Sequence, residues 1–224
     1  MDSSDEVIQM LARAVASISV GHPARVAVDG RSAAGKTTLA DKLAKAVHSY
    51  GREVVRASID DFHRTDHRER RRVGWTPQSY YDQGYDYQTF TEFMLDPLGP
   101  GGNRSCRTKF YDSLNDRQFP ETWISIRDQA VAIVDGIFLL RPGLADRWDF
   151  IIWLDIDMET MVQRARDRDV EWVGSVTEVE DRYRRHWIPT HELYERLDSP
   201  VDRAHAVIDN RFCEEPRIIR FSVL

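Results

Sequence analysis

The stretch VAVDGRSAAGKTTLADKLAKAV, residues 26–47, decides how the rest of this 224-residue chain is read. It opens apolar and β-branched, as a buried strand does, and closes with Leu39, Leu43 and Val47 at helical spacing. Between the two, Gly30 and Gly35 bracket four residues and are followed by Lys36 and Thr37. That is G-x-x-x-x-G-K-[ST] in its strand-to-helix setting, a turn whose backbone N–H groups and helix N-terminus point at an anion. The residues expected to hold a nucleotide are Gly30, Ser32, Ala33, Ala34, Gly35, Lys36, Thr37 and Thr38. Lys36 is expected to reach the β- and γ-phosphates, and the Thr37 hydroxyl to coordinate Mg²⁺.

Composition narrows what such a site can serve. The chain carries 31 Lys and Arg against 37 Asp and Glu, a formal net charge of −6, which argues against a general nucleic-acid surface. The opening DSSDEV has no basic or apolar leader region, and no apolar run reaches membrane-spanning length, so a cytoplasmic location is expected, with no membrane partner. The two cysteines, Cys106 and Cys213, are far apart and form neither a disulfide framework nor a metal motif.

Outward from the opening stretch, residues 5–18 place apolar side chains at helical spacing. Four further segments read as buried strands: 53–59, 130–136, 149–156 and 204–210. Strands alternating with helices imply a parallel sheet of about five strands, with the site at its C-terminal edge. Residues 63–128 interrupt the alternation with a long polar insertion, expected to include a helix near 88–95. It reads as a substrate-binding elaboration. Its arginine run, Arg64 to Arg72, reads first as a solvated mobile loop and alternatively as a clamp for an anionic acceptor.

Strand ends supply further candidates. Asp135 closes the apolar run VAIVD, where a carboxylate can hold Mg²⁺. Asp60 and Asp61 close the second strand, and alternation in extended backbone lets only one of them face a cleft. A carboxylate there can accept the proton of an attacking hydroxyl. Arg164 and Arg168 stand one helical turn apart on a predicted helix, where they could neutralise a γ-phosphate or simply lie in a salt-bridged exposed face.

The ordered set DGRSAAGKTT, IDDFHR, YYDQGYDY, KFYD, VDGIFLL, the arginine-bearing helix and RAHAVIDN resembles the uridine kinase and phosphoribulokinase family of P-loop kinases, nearest its short bacterial uridine kinase-like members. The resemblance runs from about residue 24 to residue 211 and implies a P-loop NTPase, three-layer α/β/α, as one domain over 1–224. It implies a substrate-binding insertion over 63–128 and a lid over about 160–185. It assigns Asp60 as base, Asp82 to ribose hydroxyls, Tyr111 to the neighbourhood of the base, Asp135 as the acid of the "E-G-I" motif, and Arg164 and Arg168 as lid arginines. Two departures stand out. Asn115 and Asp116 occupy the region where uridine-cytidine kinases carry a pyrimidine-reading His, and Val173, Gly174 and Ser175 replace an R-G-R triplet.

These readings converge on an ATP- or GTP-dependent, Mg²⁺-requiring kinase acting on a hydroxyl of a small metabolite, with a nucleoside as leading acceptor. A sugar, sugar phosphate, vitamin precursor or natural-product alcohol is the alternative. Asp116, which accepts hydrogen bonds only, would favour an amino-bearing base over uracil. A homo-oligomer is compatible with the sequence. A regulatory nucleotide switch is the rival class, but none of Asn103, Asn115 or Asn210 begins the N-K-x-D by which GTPase switches read guanine.

Overall fold

The computed structural model describes residues 4–222. The outermost ends of the 1–224 span expected as one domain lie outside the described residues. The chain opens with α1 (Ser4–Ser17), β1 (Ala24–Gly30), α2 (Lys36–Ser49) and β2 (Val54–Ser58). The insertion follows, with α3 (His67–Val73), α4 (Pro77–Gln83), α5 (Tyr87–Phe90), and the two-residue strands β3 (Ser105–Cys106), β4 (Tyr111–Asp112), β5 (Arg117–Gln118) and β6 (Ile124–Ser125). The remainder is β7 (Val131–Asp135), β8 (Phe150–Asp155), α6 (Met158–Val173), α7 (Val176–Arg182), α8 (Ile188–Asp198), α9 (Pro200–Arg203), β9 (Ala206–Asp209) and β10 (Arg217–Phe221).

Six strands form the central sheet in the order β10-β9-β8-β1-β7-β2, five of them parallel. The sequence reading found those five and missed β10, which pairs antiparallel at the edge. An edge strand of the composition RIIRF, partly exposed along its length, lacks the continuous apolar run that marks a buried parallel strand.

Side-chain alternation along the inner strands builds the two outer layers. Ala27, Ile151 and Trp153 point into one apolar cluster with insertion residues such as Tyr80, Tyr85 and Phe90. Val26, Val28, Ile152 and Leu154 point into the other, with α1, α2 and α6. The insertion thus shares a core with one sheet face, and it is more structured than a polar loop. Arg68 to Arg72 lie in α3 rather than in a mobile loop, and Arg64, just ahead of the helix, pairs with Asp66 as Arg70 does. The helix expected near 88–95 is the short α5 running into a π turn over Thr91–Leu95.

The parallel strands end on one edge. Asp29 stands next to last in β1, while β7, β8 and β9 end at Asp135, Asp155 and Asp209. A 3-10 turn, Ile59–Asp61, follows β2 directly. A row of carboxylates therefore surrounds the loop that joins β1 to α2.

Candidate active site

The loop's shape follows from two close approaches. A Cβ on Gly30 would overlap the carbonyl oxygen of Leu154 on the neighbouring strand. Gly35 sits at φ 92°, a left-handed conformation, and caps α2. Lys36 Nζ donates to the Arg31 carbonyl at 2.8 Å, and Thr37 Oγ1 donates to Asp135 Oδ2 at 2.6 Å. Ser32, Ala33, Gly35, Lys36, Thr37 and Thr38 line a cleft of about 560 Å³. Gly30 and Ala34 lie behind it; the Ala34 carbonyl accepts from Asn210 Nδ2 at 2.7 Å.

Four supports of this loop escaped the sequence reading. Asp29 is fully buried and accepts from Gly30 N at 2.7 Å, Leu139 N at 3.0 Å and the Tyr194 hydroxyl at 2.5 Å. Burial pushes its carboxyl up to about 6 against those hydrogen bonds. Arg31 holds Glu195 of α8 through two bonds of 2.7 and 2.6 Å and pairs with Asp155 at 3.0 Å. His191 Nε2 lies 3.0 Å from both the backbone nitrogen and the hydroxyl of Ser32. Accepting the Ser32 N–H requires the neutral ring, and burial holds His191 well below the usual imidazole range. Arg56 of β2 pairs with Asp135 at 2.8 Å. A lone acid inside the apolar run VAVDG was the one available signal, pointing to Asp29; the others depend on which helix packs above the loop.

Asp135 is 2% exposed and bonded to Thr37, so one hydroxyl and one carboxylate converge beside the phosphate loop. This donor set fits Mg²⁺, which takes a few protein oxygens and fills its octahedron with phosphate and water. Lys36 is half-buried at the cleft wall, and desolvation lowers its pKa while Asp29, Asp60 and Asp135 oppose that shift.

Asp60 and Asp61 do not divide as strand alternation predicts. The strand ends at Ser58, the two acids occupy the 3-10 turn, and both line the cleft. Asp60 Oδ1 accepts from the Tyr85 hydroxyl at 2.8 Å, whereas Asp61 pairs with Lys109 at 3.3 Å. Burial pushes the Asp61 carboxyl up, against the pull of Lys109.

The two arginines expected in the lid reach the cleft from α6. Arg164 Nη2 donates to the carbonyls of Asn210 at 2.6 Å and Arg211 at 3.1 Å. Arg168 is bonded to Asp169 at 2.7 Å and Tyr183 at 2.8 Å, and its charge is felt at both Lys36 and Asp60.

Three expected acceptor contacts are arranged differently. Asp82 is exposed on α4, accepts from Gln78 at 2.9 Å and does not line the cleft. The helix buries Tyr80 and Tyr81, which turns the next residue outward, and Tyr85 reaches the site instead. Tyr111 and Asp116 bond to each other across the β4–β5 hairpin, and Asp116 also pairs with Arg68 at 3.3 Å. Their neighbours Asp112, Ser113 and Leu114 line the cleft in their place.

A phosphate-holding turn at the C-terminal edge of a mostly parallel sheet, overlaid by an arginine-bearing helix, is the arrangement of P-loop kinases. This chain belongs to the phosphoribulokinase/uridine kinase family, whose sequence model matches residues 26–211 and whose members are kinases acting on hydroxyl groups. It is 25% identical over 150 residues to uridine-cytidine kinase B of Dictyostelium discoideum, a match covering 66% of this chain and 59% of that protein. Two solved structures share the fold at a TM-score of 0.70. A possible uridine kinase from Bacillus stearothermophilus is 20% identical, with 91% of this chain and 97% of that one covered. A candidate fructose transport system kinase from Silicibacter is 22% identical, with 84% and 94% covered. D-glycerate 3-kinase from Cryptococcus neoformans has a TM-score of 0.59 at 15% identity, covering 96% of this chain and 97% of that one. Among the described residues no helix is long and apolar enough to cross a membrane.

Proposed function

We propose that the chain transfers the γ-phosphoryl group of ATP or GTP to a hydroxyl of a small metabolite bound between the phosphate loop and the insertion. The single observation that carries this reading is the shared cleft, in which Lys36 and Thr37 face Asp60 and Asp61 with Arg164 and Arg168 alongside. Asp60 is the base: the Tyr85 hydroxyl occupies one of its oxygens at 2.8 Å and leaves the other for the acceptor. The acceptor oxygen forms a bond to the γ-phosphorus as the bond to the β–γ bridging oxygen breaks; the hydroxyl proton passes to Asp60 and the nucleoside diphosphate leaves. Lys36 and Arg168 stabilise the charge spread over the phosphoryl oxygens. Mg²⁺ held by Thr37 and Asp135 supplies neutralisation of the β- and γ-phosphates when bound. Closure of the segment over about 160–185 excludes water during transfer.

A nucleoside acceptor is favoured by the resemblance to uridine-cytidine kinase B. The geometry gives it less support, since the diol contact expected of Asp82 and the base contact expected of Asp116 both lie off the cleft.

The test is release of nucleoside diphosphate from ATP and GTP with Mg²⁺ across nucleosides, free sugars, sugar phosphates and hydroxy acids, for the wild type and Lys36→Ala. The variant keeps its melting transition, loses most acceptor-dependent turnover and binds nucleotide roughly ten- to a hundredfold more weakly, the value of one charge-assisted hydrogen bond. Undiminished turnover would remove the loop from the reaction.

A further inference from the structure

The arginines of the insertion's run do not share one environment. Arg64 and Arg70 share Asp66, and Arg68 pairs with Asp116. Arg71 alone of the run lines the cleft, and its guanidinium lies 5.1 Å from the centroid of the Trp172 indole. Arg182, from the end of α7, also lines the cleft and lies 4.7 Å from the same centroid. Among the described residues neither forms an ion pair. The nearby carboxylate, Asp169, is already engaged by Arg168, Tyr183 and Trp172, although its charge still reaches Arg182.

Two guanidiniums at one indole, neither with an ion-pair partner among the described residues, repel each other. Burial, reinforced by the charge of Arg71, pulls the Arg182 pKa down. An anion bridging the pair relieves that repulsion and meets planar donor groups suited to a carboxylate or phosphate.

The pair belongs to the acceptor side of the cleft. Arg71 is carried by the insertion. Arg182 lines the cleft together with the buried Tyr80, whose hydroxyl lies 3.5 Å from that of Tyr85, and Tyr85 in turn donates to Asp60. The phosphoryl side already has its own cations in Lys36, Arg164 and Arg168. Resting on the kinase reading above, we infer that Arg71 and Arg182 form an anion subsite at Trp172, and that the acceptor is an anionic polyol, a hydroxy acid or sugar phosphate whose hydroxyl lies at Asp60.

Two measurements test this separately from the kinase reading. Acceptor-dependent ADP release is compared within matched sets, glycerol with D-glycerate and glycerol 3-phosphate, and ribose with ribose 5-phosphate, with uridine and cytidine as neutral nucleoside references. An anionic member is expected to exceed its neutral counterpart at least tenfold in kcat/KM, the carboxylate and phosphate arms identifying the group. Arg71→Gln and Arg182→Gln are each expected to reduce that preference about ten- to a hundredfold, chiefly through KM. Independently of turnover, calorimetry follows inorganic phosphate binding to protein whose phosphate loop is saturated with a non-hydrolysable ATP analogue. Saturable binding that both variants lose supports the subsite; no binding, or binding unchanged in the variants, overturns it. Efficient turnover of uridine with no gain for any anion would overturn the inference while leaving the kinase reading intact. Absence of acceptor-dependent turnover throughout would instead strike the kinase reading, with the phosphate titration still deciding the subsite.

Discussion

At the scale of single residues, the adjacent acids show how little separates a base from a bystander. Asp60 and Asp61 both line the cleft because the strand gives way to a 3-10 turn before it reaches them. Their partners distinguish them, a tyrosine hydroxyl for Asp60 and an ammonium for Asp61. Asp60→Asn is therefore expected to lower the single-turnover rate by about 10²–10⁴, the usual worth of a positioned base, and Asp61→Asn by only several-fold. Rapid-quench measurement on both variants checks this; equal losses would deny Asp60 a separate role. The sequence singled out Asp60 only through the IDDFHR resemblance, since two neighbouring acids at a strand end carry no local mark of which one acts.

At the scale of elements, the positions of the site residues are set by where one segment presses on another. A Cβ at Gly136, just after β7, would overlap Ile59 Cγ2 at the start of the acidic turn. Gly136→Ala is expected to displace Asp60 while sparing the phosphate loop. A shift of this kind can cost about a hundredfold in rate, so kcat should fall strongly with nucleotide affinity within about twofold, on the same reasoning. Adding Ile59→Ala removes the overlapping atom, and the double variant should recover relative to the two single losses summed. Additive losses would show that the overlap does not act through the turn. Element type was largely legible: the five parallel strands show as apolar runs and α1 as apolar helical spacing. Rotational phase was not, because the role assigned to Asp82 needed knowledge that α4 would bury Tyr80 and Tyr81.

For the whole molecule, burial of ionisable groups sets how stability responds to pH. Burial holds His63, His67 and His191 below the usual imidazole range, with His67 at about 4. The unfolded chain binds protons at these positions below about pH 6.5 and the native protein does not, so their stabilisation is present above that pH and lost as pH falls. His67 by itself accounts for roughly 2–3 kcal/mol between pH 7 and pH 4. Asp29 works in the opposite sense: with its carboxyl raised to about 6, native protein takes up a proton between about pH 6 and pH 4, and stability from this group declines as pH rises through that window. His186 and His205 are also held down by burial and act in the same sense as the other imidazoles. Urea unfolding midpoints are expected to fall steadily from pH 7 to pH 4, with a shallower fall in His67→Phe; a flat wild-type profile would contradict the buried-histidine account.

The sequence by itself determined the phosphate loop, the class of sheet and the strand ends at which chemistry gathers. Glycine spacing, an adjacent lysine and threonine, and apolar runs act over a few residues, so they can be read where they stand. Which charges share the cleft was set by packing between distant segments. Asp82 and Asp116 were turned away or paired, Asp29, His191 and Glu195 were brought against the loop, and Arg71 was set with Arg182 at Trp172. Those outcomes depend on helix phase and on packing between segments distant in the chain, and burial then fixes which of the assembled groups carry charge.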